Sequence, residues 1–227
     1  MSLNISRIKL LCFDVDGTLA DTDDEMVHKL ASRLTFIKRV FPSWNEQTFT
    51  RRVIMGIETP ANLVFNLPDH LGLDDEIVWL IQRFNRMGIG KRKPPFWLIN
   101  GVLPMLDALA LHYPMAVVSA RDENGTRAFL DHFSLAPRFQ SIITGQTCPH
   151  TKPYPDPIFE AARLAGVRPD ACLMIGDTTV DILSARRAGA QSIGVLCGFG
   201  QENELSKAGA DLILPQTAML SDLLLGS

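Results

Sequence analysis

Two carboxylates separated by a single residue, Asp14 and Asp16, interrupt the apolar run Leu10-Leu11-Cys12-Phe13 and lead into Gly17-Thr18-Leu19. On a β-strand, residues two apart point to the same side, so both acids should emerge together where the strand ends. Side by side they repel, and burying either costs desolvation, so the pair is expensive unless a cation or a reaction uses it. Gly17 suits a sharp exit or a close backbone approach to a ligand. A strand closed by a plain Asp-Gly turn would use the same residues without any chemistry. The remainder of the chain separates the two readings.

Three further sites offer polar groups in similar settings. Ser119 follows the apolar run Met115-Ala116-Val117-Val118, and Lys152 lies in the loop after Ser141-Ile142-Ile143-Thr144. Asp177 and Asp181 follow Ala171-Cys172-Leu173-Met174-Ile175-Gly176. Singly, Ser119 and Lys152 are ordinary polar residues, and Asp177-Thr178-Thr179 can be the N-cap of a helix.

The elements that would position these groups can be read from periodicity. Apolar spacing predicts helices over Val102 to Leu111, Asn124 to Phe133, Pro157 to Ala165 and Val180 to Ala188, the last stopped by Gly189. Strands are expected at residues 10–13, 115–118, 141–144, 171–175, 192–195 and 211–214. Short, apolar, unalternating strands separated by helices indicate a parallel sheet covered on both faces. In such sheets ligands bind beyond the carboxyl ends of the strands, where the acids, the hydroxyl and the ammonium are found. The expected fold is therefore α/β, a doubly wound (Rossmann-like) parallel sheet.

Residues 21–95 have a different texture. Met26, Val27, Leu30, Leu34, Ile37 and Val40 recur at helical spacing, and further helical stretches follow without strand-like runs. This predicts a small all-helical cap domain over 21–95, inserted into a core of 1–20 and 96–227. Lys91-Arg92-Lys93-Pro94-Pro95 reads as its exit linker.

Composition bounds the rest. A chain of 227 residues with 46% hydrophobic and 21% charged residues is an ordinary globular sequence. Its net charge of -3 argues against a general nucleic-acid binder. Cys12, Cys148, Cys172 and Cys197 show no C-x-x-C spacing and are expected as buried free thiols. The apolar run before Asp14 is too short for a signal peptide, and no uncharged stretch approaches the ~18 residues of a membrane span. The expected location is cytoplasmic, with no membrane partner. Oligomeric state is open.

Taken in order, Phe13-Asp14-Val15-Asp16-Gly17-Thr18-Leu19, Val118-Ser119, Lys152-Pro153 and Gly176-Asp177-Thr178-Thr179-Val180-Asp181 resemble the four motifs of the haloacid-dehalogenase-like superfamily. The resemblance spans the whole core. It implies that Asp14 is a nucleophile that accepts a phosphoryl group and that Asp16 is a general acid/base. It implies that Ser119 and nearby backbone amides, around Ala120 and Arg121 and around Gly17 and Thr18, hold the phosphoryl oxygens. Lys152 would neutralise charge on nucleophile and phosphate. Asp14, the carbonyl of Asp16, Asp177 and Asp181 would hold magnesium or its coordination shell, hard oxygen donors that suit this ion.

The acid at position 16 sets the chain apart from haloacid dehalogenases and phosphonate hydrolases, which lack it. The expected activity is hydrolysis of a small phosphorylated metabolite. Phe49-Thr50-Arg51-Arg52-Val53-Ile54-Met55-Gly56 resembles the cap loop of phosphoglycolate phosphatases, so Arg51 or Arg52 would read the leaving group. The alternatives are a phosphomutase resembling beta-phosphoglucomutase and a phosphate-binding regulatory protein without catalysis.

Overall fold

The computed structural model describes residues 3–21 and 96–226. Six parallel strands form one sheet: β1 (Leu10–Phe13), β2 (Met115–Val118), β3 (Ser141–Ile143), β4 (Cys172–Gly176), β5 (Gln191–Val195) and β6 (Leu212–Leu214). Their order across the sheet is β3-β2-β1-β4-β5-β6. The chain thus starts in the middle, winds outward on one side, and then crosses back to fill the other, as a doubly wound sheet does. Leu11 pairs with Met115 on one side of β1 and with Leu173 on the other.

Burial follows position in the sheet. Strands β1, β2, β4 and β5 are buried at every residue, while the edge strands β3 and β6 are buried only at their last residue. A central strand covered on both faces has no solvent side, hence the unbroken apolar sequences of β1, β2 and β4. Alternate side chains still go to opposite faces. Leu11, Phe13, Val117 and Ile175 join one core cluster, and Leu10, Cys12, Ala116 and Met174 join the other.

Helices α1 (Val102–Ala110), α2 (Glu123–His132) and α6 (Leu220–Leu225) contribute Leu106, Phe129 and Leu224 to the first cluster. Helices α3 (Asp156–Ala165) and α4 (Thr179–Ala188) contribute Ile158 and Ala185 to the second. Helix α5 (Glu202–Ala208) and helix α6 were not among the elements expected from periodicity; both are short, at seven and six residues. The elements expected within the described residues are found within a residue or so of their predicted ends, and Gly189 closes α4 in the left-handed conformation.

Beyond β1 the chain makes a tight turn in which the amides of Thr18, Leu19 and Ala20 all donate to the Val15 carbonyl. Ala20 then pairs antiparallel with Leu98, and the Asp21 amide donates to the Trp97 carbonyl at 2.9 Å. Residues 21 and 97 are therefore neighbours. The expected helical cap falls on residues outside those described.

All four cysteines are free, as expected. Only Cys12 and Cys172 are buried; Cys148 and Cys197 are partly exposed, which corrects the expectation for those two. Cys197 sits at the rim of the turn after β1, its Sγ 3.5 Å from the Gly17 carbonyl.

Candidate active site

The sheet order places β3, β2, β1 and β4 side by side, so the residues after their carboxyl ends share one edge. Ladder bonds fix the first of them: the Asp14 amide donates to Ile175 and the Ser119 amide to Ile143, both at 2.9 Å. Each polar residue is thus the first one past a strand whose own side chains are locked in the core.

Asp14, Asp177 and Asp181 form one buried cluster, with a carboxylate oxygen from each within 4.8 Å of the others. Lys152 reaches it from the loop after β3, its ammonium donating to Asp14 Oδ1 at 2.7 Å and to Asp181 Oδ1 at 2.6 Å. The lysine side chain is 2% exposed. A buried ammonium is tolerable only when paired and hydrogen-bonded. Burial pulls its pKa down, but the charges of Asp14 and Asp181 outweigh that and hold it above the ordinary lysine range.

The acids are less well compensated. Burial pushes Asp14 up to about 7, against the pull of Lys152 and with further upward pressure from Asp181 and Asp16. Asp177 is driven well above the usual carboxylate range by burial, then by Asp181 and Asp14. Its Oδ2 accepts from the Phe199 amide at 2.7 Å, while its Oδ1 is buried without a hydrogen-bond partner among the described residues.

This donor set fits a hard divalent cation. Among the described residues it offers carboxylate oxygens and no thiolate or imidazole, it holds three carboxylates to one ammonium, and one buried oxygen lacks a partner. Asp14 and Asp177 are the better placed to hold such an ion. Both oxygens of Asp181 already accept hydrogen bonds, Oδ1 from Lys152 and Oδ2 from the amide and hydroxyl of Thr178 at 3.0 and 2.6 Å. That arrangement makes Asp181 an anchor for Lys152.

Glycines make the close packing possible. Gly17 has a φ of +70°, and a Cβ there would overlap Asp177 Oδ2. A Cβ at Gly198 would strike the same oxygen. Gly17 therefore serves both of the roles expected from its type, the sharp exit and the close approach.

Asp16 faces away from this cluster in its bonding. Its carboxylate is gripped by the guanidinium of Arg121, Nε donating to Oδ2 at 3.1 Å and Nη2 to Oδ1. The Arg121 amide in turn donates to Ser119 Oγ at 3.1 Å. The Ala120 carbonyl packs where a side chain at Gly145 would lie. Thr18 is fully buried, its carbonyl accepting from Thr217 Oγ1 at 2.8 Å.

Of the residues singled out in the sequence, Asp14, Lys152, Asp177 and Asp181 are brought into one cluster. Asp16, Ser119 and Arg121 are brought into a second group beside it. Arg51 and Arg52 lie outside the described residues. Sequence reasoning did not assign the Phe199 amide or Gly198 a part in the site, since a backbone donor has no residue type to betray it. The Thr178 contact had a signal: a threonine three residues before an acid at a helix start is the spacing of a capping box.

The sequence model of the haloacid dehalogenase-like hydrolase family matches residues 11–195. The chain belongs to that family. A phosphoglycolate phosphatase from Xylella fastidiosa is 31% identical over 217 residues, covering 94% of this chain and 91% of that protein. Another from Chromobacterium violaceum is 25% identical, covering 98% and 99%. A haloacid dehalogenase-like family hydrolase from Streptococcus pneumoniae has the same fold, with a TM-score of 0.68 over 98% of this chain and all of that one at 24% identity. The chain is a phosphatase of the haloacid dehalogenase-like family. Among the described residues, no helix is long and apolar enough to cross a membrane.

Proposed function

We propose that this phosphatase is a magnesium-dependent phosphomonoester hydrolase that works through an aspartyl-phosphate on Asp14. The observation that carries the reading is the buried cluster in which Lys152 binds Asp14 at 2.7 Å while Asp177 keeps a buried oxygen without a partner among the described residues. Magnesium held by Asp14 and Asp177, with the Asp16 carbonyl, would supply positive charge that keeps the acids ionised and offsets the phosphate dianion.

The chain's own residues do the rest. Asp14 Oδ attacks phosphorus and forms the acyl phosphate as the leaving oxygen departs. The Lys152 ammonium, anchored by Asp181, stays beside Asp14 and offsets the charge gathering there. Ser119 Oγ and the amides of its loop orient the other phosphoryl oxygens. Asp16 gives a proton to the departing alkoxide, then takes one from the water that hydrolyses the acyl phosphate.

The substrate class favoured is a small phosphorylated metabolite of the phosphoglycolate kind. Its support is the name that the similar proteins from Xylella fastidiosa and Chromobacterium violaceum carry. The adjacency of residues 21 and 97 supports reading 21–95 as an insertion into the core; as a cap it would add Arg51 or Arg52 to the groups that contact the leaving group. Phosphate release from phosphoglycolate in the presence of magnesium, and its loss on chelation, tests the reading. Full activity in EDTA, or isomerisation of a sugar phosphate with no phosphate released, would overturn it.

A further inference from the structure

We propose that Arg121 is a latch on Asp16: a positioning and specificity residue that holds the acid idle until a second anionic group, on the substrate's leaving-group side, takes over its guanidinium. The proposal rests on the reading of Asp16 as the acid/base and names the substrate class as phosphomonoesters bearing a neighbouring carboxylate.

Both oxygens of Asp16 are committed to Arg121, Oδ2 to Nε at 3.1 Å and Oδ1 to Nη2. The fork occupies the lone pair of each oxygen that faces it, so a leaving oxygen or a water must use the outer ones unless Arg121 parts from Asp16.

The base of the arginine is fixed while its side chain as a whole keeps some exposure. Its amide donates to Ser119 Oγ at 3.1 Å, and its carbonyl accepts from the Gly145 amide at 2.9 Å. Its stem lies against Gly125 in the first turn of α2, where a Cβ would come within 3.0 Å of Cδ and 3.2 Å of Cγ. Three segments thus position the stem, and the glycine leaves room for it. The side chains of Arg121 and Asp16 are 24% and 12% exposed, unlike the enclosed Lys152.

The chemistry of the fork then selects the ligand. A guanidinium drawn off a carboxylate needs another planar or tetrahedral oxyanion that can accept two parallel N–H bonds. Lys152 already offsets charge at the nucleophile. Arg121 sits instead at the acid/base, which must lie against the bridging oxygen of the ester. A carboxylate one or two bonds beyond that oxygen would reach the fork, replace Asp16 as its partner, and free Asp16 to transfer the proton. A substrate with no second anion would have to break the ion pair without replacement.

Steady-state kinetics of the full chain with magnesium, on phosphoglycolate and on ethyl phosphate, test this. Arg121→Ala should lower kcat/KM for phosphoglycolate about 10- to 100-fold, the worth of a charge-assisted pair. The same variant should raise kcat/KM for ethyl phosphate, because Asp16 is no longer held. Arg121→Lys keeps the charge but loses the fork, so it should fall between the two proteins on phosphoglycolate; it carries the comparison if the alanine variant does not fold. Equal losses on both substrates would mean that Arg121 serves the phosphoryl group or the fold, and would overturn the latch. Failure of the unaltered protein to release phosphate from phosphoglycolate would overturn the proposed substrate class, and the latch with it.

Discussion

Lys152 stands at the centre of the residue-scale chemistry. It is the one buried cation, among the described residues, between Asp14 and Asp181. Removing one partner of a buried ion pair leaves uncompensated charge and typically costs about 3–5 kcal/mol. Lys152→Ala should therefore lower the thermal midpoint at pH 7.5 sharply, and less at pH 5, where the acids can take up protons instead; a pH-independent loss would contradict the charge account. Asp14→Asn tests the nucleophile. It should fold normally and lose all turnover, and a variant retaining most of its rate would rule out the acyl phosphate. Asp16→Asn should slow hydrolysis of an alkyl phosphate by something like ~10²–10⁴-fold, and equal rates for variant and parent would remove Asp16 from the mechanism.

At the scale of elements, the turn after β1 and the start of α4 depend on each other. Gly17 adopts a left-handed backbone, and a methyl group there would overlap Asp177 Oδ2. Gly17→Ala combines about 1–2 kcal/mol of backbone cost with displacement of Asp177. It should lower both stability and activity, with activity falling further than the stability loss explains at any temperature below the melt. Rates equal to the parent's would show that Asp177 need not lie against this turn. The Thr178 hydroxyl, 2.6 Å from Asp181 Oδ2, fixes the anchor of Lys152 in the same way.

Across the whole molecule, the site works against the stability of the fold that carries it. Asp14 and Asp177 have pKa values raised by burial, Asp14 to about 7. A group titrating higher in the folded than in the unfolded state stabilises fully below its unfolded pKa, near 4, and that contribution is lost as pH rises through the folded pKa. In the metal-free protein these two acids should thus weaken the fold progressively between about pH 4 and pH 7 and beyond. Asp177→Asn removes one such acid while keeping an oxygen for the Phe199 amide. In EDTA it should melt above the parent at pH 7.5 and lose that advantage towards pH 4. If it melts lower than the parent at pH 7.5 in EDTA, burial of the Asp177 charge is not the strain inferred here. Magnesium, in turn, should raise the parent's midpoint more at pH 8 than at pH 5, since protons compete for the same oxygens.

Much of this was determined locally and is legible in the sequence. Apolar runs of four or five residues alternating with helical periodicity specify a parallel sheet, because only burial on both faces makes such strands stable. The acids, the serine and the lysine could be picked out because each directly follows, or lies in the loop after, one of those runs. What tertiary structure alone decided is which of them touch. Asp14 and Asp16 are two residues apart, yet one pairs with Lys152 and the other with Arg121, 138 and 105 residues away. The sheet order β3-β2-β1-β4 brings those loops together, and strand order depends on packing between distant segments, to which no local pattern is sensitive. The Asp16–Arg121 pair and the Phe199 amide on Asp177 belong to that long-range level, where a residue's partner is set by the fold rather than by its neighbours in the chain.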